Sequence, residues 1–170
     1  MLSFDIRELE SDAVAVDSDL AADDPIWQAD DAMPAGAVHV SGRLSAAGTG
    51  RFYWHGRIAG SAVLPCRRCL KETSAEVQDE AHVIFAATDV EEAEEPDVYP
   101  FDPRARELDL RPAVRELWLL NAPRFVLCKD DCKGLCPSCG ADLNAGPCSC
   151  PPVHDARWDA LHKRDSSSAT

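Results

Sequence analysis

The chain has 170 residues, 45% hydrophobic and 28% charged, which suits one globular domain of ordinary size with a small appendage. A formal net charge of -13 disfavours unspecific phosphate binding, so any nucleic-acid contact must run through a local basic patch or a protein partner. The opening Met1-Leu2-Ser3-Phe4-Asp5-Ile6-Arg7 lacks the basic start and apolar run of a secretory signal, and no stretch approaches the roughly 18 apolar residues of a membrane span; a cytoplasmic location with no membrane partner is expected.

Leu2, Phe4 and Ile6 alternate with polar residues, the period-two mark of a half-buried strand. Residues 10–36 are rich in Asp, Ala and Pro and read as an acidic surface loop, with Pro25-Ile26-Trp27 docking it onto the core. Val38, Val40 and Leu44 alternate, Ala46 to Gly50 supplies turn chemistry, and Phe52, Trp54 and Ile58 resume the alternation, which predicts a β-hairpin. A return strand is expected over 76–86, carrying Val77, Val83 and Phe85, so that Cys66 and Cys69 sit at a strand-to-strand turn.

Residues 87–103 hold the like-charge run Glu91 to Asp97 and read as a second acidic loop. The acidity is uneven: residues 1–110 carry 9 basic and 23 acidic side chains, residues 111–170 carry 8 and 7. Asp109 with Pro112 opens a helix predicted over 110–121, with Leu110, Val114 and Leu117 on one face and Ala122-Pro123 as its stop. A cysteine-rich segment follows at 128–150, then a short helix candidate at 155–163 with Trp158 and Leu161 on one side, then a tail over 164–170 expected to be disordered. The expected organisation is an α+β domain over 1–126, a zinc-binding knuckle with its packed helix over 127–163, and the tail. In that fold class an antiparallel sheet, built from the opening strand, the hairpin and the return strand, is covered by one main helix.

The eight cysteines form four close pairs, Cys66/Cys69, Cys128/Cys132, Cys136/Cys139 and Cys148/Cys150. In a reducing compartment such pairs read as metal ligands before disulfides, and zinc takes four thiolates in a tetrahedron, so four pairs make two sites and two zinc ions. Pro137 and Gly140 suit the tight turn in which backbone N–H groups face thiolate sulfurs. Loop-closure entropy favours Cys136, Cys139, Cys148 and Cys150 as one site and Cys66, Cys69, Cys128 and Cys132 as the other. A rival pairing joins Cys66/Cys69 to Cys136/Cys139, and spacing alone leaves it open.

Four sulfurs per site leave no vacancy for water, which favours a structural role over a catalytic one. Pro65-Cys66-x-x-Cys69 matches half of a zinc-deaminase signature, but neither His39 nor His55 has the glutamate two residues on that this chemistry needs. A dithiol oxidoreductase would place its cysteines at a helix N-terminus, whereas Lys71 to Ser74 leads toward another strand. There is no Gly-rich phosphate loop and no Gly-x-Ser-x-Gly elbow, so no enzymatic activity and no small-molecule substrate are expected. Arg67, Arg68, Lys71, Arg124, Lys129 and Lys133 form the densest basic grouping of an acidic chain. They either offset thiolate and carboxylate charge or provide a small face for RNA or a partner. Trp54, Trp118 and Trp158 read as core or interface residues, His82 and His154 as surface histidines.

The run from Leu127 to Asn144, with Cys128, Cys132, Lys133-Gly134-Leu135-Cys136-Pro137-Ser138-Cys139-Gly140, resembles the C-terminal signature of the YceD family, the large ribosomal RNA subunit accumulation proteins. Cys66-Arg67-Arg68-Cys69-Leu70, Leu119 to Pro123, and Cys148-Ser149-Cys150 with Asp155 to Trp158 fall in the order that family shows, over about residues 38–162. The resemblance implies a bacterial or plastid protein needed for accumulation of large-subunit (23S) rRNA and large-subunit assembly, with no established enzymatic activity. It also implies that the first cysteine pair belongs to a separate site, since some members keep that pair and lose the later knuckle. The partner expected from it is large-subunit rRNA or a precursor particle, met directly or through a ribosomal protein. The alternative is an acidic chaperone that holds a basic ribosomal protein with residues 87–103 while zinc serves folding alone.

Overall fold

The computed structural model describes residues 1–151 and Arg157. The helix candidate at 155–163, with Trp158 and Leu161, and the tail over 164–170 lie outside the described residues. Strand β1 (Ser3–Asp5) is followed by helix α1 (Ile6–Ser11), then β2 (Val14–Leu20), β3 (Val38–Ala46), β4 (Arg51–Pro65), β5 (Glu72–Ala87), a 3-10 turn at Glu91–Glu94, β6 (Val98–Phe101), β7 (Glu107–Asp109) and helix α2 (Arg111–Asn121). The main sheet has the order β2-β3-β4-β5-β6. Its pairs are antiparallel except β5 with β6, which is parallel.

The hairpin and the return strand form where period-two alternation places them. Phe52, Trp54, Ile58 and Ala62 of β4 face the core together with Val40, Leu44, Val83 and Phe85, each at most 4% exposed. Four expectations for the chain before α2 change. The opening strand pairs with β7 in a separate two-stranded sheet, Phe4 opposite Leu108, and takes no place in the main sheet. Residues 10–36 are not all loop, because Val14, Val16 and Leu20 alternate well enough to pair as β2 against β3. Residues 87–103 contain the short turn and β6, whose parallel register makes the sheet mixed. Ile6 begins α1, with the Asp5 carboxylate accepting from the Arg7 N–H at 2.8 Å, a local cap that ends β1.

Helix α2 begins one residue later than expected, with Leu110 as its cap. Asp109 still satisfies the first free donor, accepting the Arg111 N–H at 2.9 Å. Trp118 is fully buried. A Cβ at Gly60 of β4 would meet its ring at 3.0 Å, so the absent side chain at Gly60 makes room for the indole. The Trp118 Nε1–H donates to the Ala32 carbonyl at 2.6 Å. Trp27 meets Trp118 edge-on at a centroid distance of 6.0 Å, docking its loop as the apolar pattern predicts. Arg115 grips Asp31 with two bonds of 2.7 Å. These contacts fix where α2 ends and so where the cysteine-rich segment begins. Among the described residues no helix is long and apolar enough to cross a membrane.

Candidate metal centres

Two segments distant in sequence meet at the β4–β5 turn. The Cys66 N–H donates to the Lys71 carbonyl at 2.8 Å and the Leu70 N–H to the Cys66 carbonyl at 2.8 Å, closing a tight loop around Cys66 and Cys69. The segment leaving α2 lies against this loop, with the Arg67 N–H donating to the Val126 carbonyl at 2.9 Å and the Leu135 N–H to the Arg68 carbonyl at 3.1 Å. The structure thereby brings the sulfurs of Cys66, Cys69, Cys128 and Cys132 within 4.8 Å of one another. Cys66 and Cys132 are buried, with sulfurs 3.8 Å apart, and the sulfurs of Cys69 and Cys128 are 3.5 Å apart.

The second quartet gathers Cys136, Cys139, Cys148 and Cys150, again within 4.8 Å. Its turn repeats the bonds of the first: the Cys136 N–H donates to the Ala141 carbonyl at 2.8 Å and the Gly140 N–H to the Cys136 carbonyl at 2.9 Å. Asn144 links the two quartets. Its side-chain amide lies 3.5 Å from the Cys132 sulfur, and its carbonyl oxygen accepts the Lys133 N–H at 2.9 Å. Asp142 holds Asn144 in place through its backbone N–H at 2.9 Å and its side-chain amide at 2.7 Å. Asn144 is absent from the site residues that the sequence pattern singles out. Its only signal there is the Asp-x-Asn spacing, an Asx turn of the kind these residues make.

The donor sets suit a tetrahedral thiophilic cation. Zinc–sulfur bonds of about 2.3 Å make a tetrahedron with edges of about 3.8 Å, against the observed 3.5 and 3.8 Å. Thiol acidity is split within each quartet. Backbone N–H groups of Cys128, Cys69 and Arg68 lower Cys66 to about 6, and those of Cys139 and Ser138 lower Cys136 to about 6. The bond to the Cys69 sulfur, burial and the neighbouring Cys132 and Cys66 sulfurs push Cys128 up to about 12. The Cys139 sulfur, burial and Cys136 push Cys150 up to about 11. One thiolate in each quartet is thus stabilised by the protein alone. Full deprotonation of Cys69 and Cys128 in the first quartet, and of Cys148 and Cys150 in the second, calls for a cation at the centre. The two quartets are four-cysteine clusters that can hold metal ions.

All six basic residues singled out from sequence are exposed, but they have different roles in the packing. The Arg68 guanidinium reaches across the joint and donates to the Cys132 carbonyl at 2.8 Å. Arg67 lies over the Phe125 ring at 4.0 Å, an exposed cation–π pair. Lys129 pairs with Asp131 at 3.6 Å. Lys71 and Lys129 are close enough to Asp142 to add to the lowering of its carboxyl, which is caused first by the Asn144 N–H. Lys133 contributes its backbone N–H to Asn144. Arg124 lines a surface cavity with Leu64, Pro65 and Val126. Three apolar side chains around the first quartet are also exposed: Leu70 at 65%, Phe125 at 66% and Leu127 at 37%. Trp54 and Trp118 are core residues with no exposed face.

The family model described as large ribosomal RNA subunit accumulation protein YceD matches residues 54–163. A chloroplastic protein of Arabidopsis thaliana, named large ribosomal RNA subunit accumulation protein YCED homolog 1, is 38% identical over 50 residues, 29% of this chain and 16% of that protein. Uncharacterized proteins of Mycobacterium bovis and Mycobacterium tuberculosis are 34% identical over 110 residues, 62% of this chain and 52% of theirs. The chain thus spans about half the length of these mycobacterial relatives and a smaller part of the plant one. No solved structure matches it.

Proposed function

This chain belongs to the YceD family, and from that premise we propose that it is a non-enzymatic, zinc-holding factor that promotes accumulation of large-subunit (23S) rRNA and assembly of the large ribosomal subunit. The observation that carries the reading is the joint at the first quartet, where Cys66 and Cys69 of the β4–β5 turn meet Cys128 and Cys132 of the segment after α2. Zinc bound there and at Cys136, Cys139, Cys148 and Cys150 offsets half of the thiolate charge, and at the first quartet it crosslinks the two segments. Around the joint, Arg67, Lys71, Arg124, Lys129 and Lys133 are exposed beside Leu70, Phe125 and Leu127. Such a mixed face suits rRNA backbone and a ribosomal-protein surface, with Arg68 acting from behind as the clasp.

The test is the ratio of large- to small-subunit rRNA in cells lacking the protein, rescued with wild type or with a Cys66→Ser/Cys69→Ser variant, alongside sedimentation with large-subunit precursors at low salt. A depressed ratio restored only by the wild type is expected. An unchanged ratio, or no comigration with precursors, overturns the reading. The acidic-chaperone alternative is separated by replacing the exposed Glu91, Glu94 and Glu95 with glutamine. Precursor association is expected to survive that change, and its loss favours the chaperone.

A further inference from the structure

The outer face of the main sheet carries a second, chemically different donor set. Along β4 the side chains of Trp54 and Ile58 are buried, so Tyr53, His55 and Arg57 point to the opposite face. His55 lies directly opposite His82 of β5. Glu80 precedes His82 by two residues and shares its face. The three exposed side chains bring one ligand atom each within 4.8 Å of the others. From this geometry we propose that His55, Glu80 and His82 form a third metal site, taking a borderline divalent ion of the zinc class through two imidazoles and one carboxylate.

The spacing of two of the donors suits a shared ion as well as a direct hydrogen bond. His55 Nε2 and Glu80 Oε1 are 3.3 Å apart. An N–H···O bond settles at about 2.9–3.0 Å, whereas nitrogen and oxygen bound to zinc at about 2.0–2.1 Å are separated by a tetrahedron edge of about 3.4 Å. The imidazole rings stack at 4.7 Å with 20° between their planes. Converging on one ion requires them to turn about their side-chain torsions, which their exposure permits. Tyr53 supplies the outer partner that histidine ligands need: its hydroxyl lies 2.7 Å from His82 Nδ1, leaving Nε2 as the ligating nitrogen.

Donor chemistry separates this site from the cysteine quartets. Imidazole with carboxylate suits zinc, nickel or copper, while calcium and magnesium take oxygen ligands in larger number. Three protein ligands leave a fourth position toward solvent, as in open rather than closed sites. Arg43 stands opposite His55 and Arg57 opposite Glu80. Their charge weakens cation binding, so the ion here exchanges while those of the quartets stay.

The test titrates zinc into the full chain after its thiolate sites are saturated, followed by calorimetry and by the ring-nitrogen NMR shifts of the histidines. One further equivalent per chain is expected, shifting His55 and His82 and leaving His39 unmoved. A His55→Ala/His82→Ala variant should lose that equivalent while keeping its far-UV spectrum and its thiolate-bound metal. Tyr53→Phe should weaken it about tenfold. Absence of a further equivalent in the wild type, or its persistence in the double variant, overturns the proposal.

Discussion

Leu70 and Gly140 stand at the same step of two copies of one turn. Both are left-handed, with φ of 61° and 72°, and both donate their N–H to the cysteine four residues earlier, at 2.8 and 2.9 Å. Glycine takes this conformation freely, whereas a side chain there is strained by about 1–2 kcal/mol. The first turn carries the strained residue, and its leucine side chain is 65% exposed. An apolar side chain held in an unfavourable conformation and left in water suggests a contact with something outside the chain.

Leu70→Gly is therefore expected to leave the melting temperature nearly unchanged, because relief of strain offsets the extra freedom of glycine in the unfolded chain, worth about 0.4–1 kcal/mol. Both metals should be retained while affinity for large-subunit precursors falls. A loss of stability on the scale of a core substitution would mark Leu70 as a packing residue instead.

The quartets make a pairwise prediction for metal content. Cobalt-loaded Cys66→Ser/Cys132→Ser protein should lose one equivalent and keep the thiolate absorption of the other site. Cys66→Ser/Cys136→Ser should lose both. Under the rival pairing of Cys66/Cys69 with Cys136/Cys139, the second variant would keep one.

Gly134 and Gly140 share a left-handed backbone but differ in surroundings. A Cβ at Gly134 would sit 2.9 Å from the Arg68 carbonyl, while one at Gly140 meets nothing within 4 Å. Gly140→Ala should cost about 1–2 kcal/mol of backbone strain. Gly134→Ala should cost more, since the Leu135 to Arg68 bond must also shift. Denaturant melts, with hydrogen exchange at Leu135, separate the two effects.

Stability should respond to acid through Asp31. The Arg115 guanidinium holds its carboxyl below the ordinary value of 3.8, and the Asp31 side chain is 6% exposed. A carboxyl lowered in the folded state adds stability above its unfolded value and loses it as pH falls through the folded value. Asp31→Asn should therefore be less stable than wild type at neutral pH. The gap between their melting temperatures should close below about pH 4, and a gap that stays constant would refute the assignment.

Local pattern carries the parts of the fold that local physics decides. The hairpin follows from Val38, Val40, Leu44, Phe52, Trp54 and Ile58, and α2 from its apolar face and the proline beyond it. Strand β2 is hidden because Asp17 and Asp19 occupy its outward positions and give the segment the composition of a loop. Its identity is set by Val16 and Leu20, each 2% exposed, which face the core from the sheet edge beside β3. The pairing of Phe4 with Leu108 joins strands about a hundred residues apart, and nothing near Phe4 announces it. The cysteine spacing marks the donor atoms but leaves their grouping open. The grouping in the structure depends on the Arg68 and Gly134 contacts, which only the folded chain displays.

The span of the first quartet also imposes an order in time. Cys66 and Cys132 are separated by 66 positions, and a ribosome adds about 5–20 residues per second. Cys66 and Cys69 are thus made roughly 3–13 seconds before the last sulfur of their set. Until then β4 and its turn present only a two-sulfur half-site to the cell. The face around Leu70 and Arg67 is completed only once Cys128 and Cys132 have joined Cys66 and Cys69, so a chain halted before residue 128 carries the turn without the segment that packs against it.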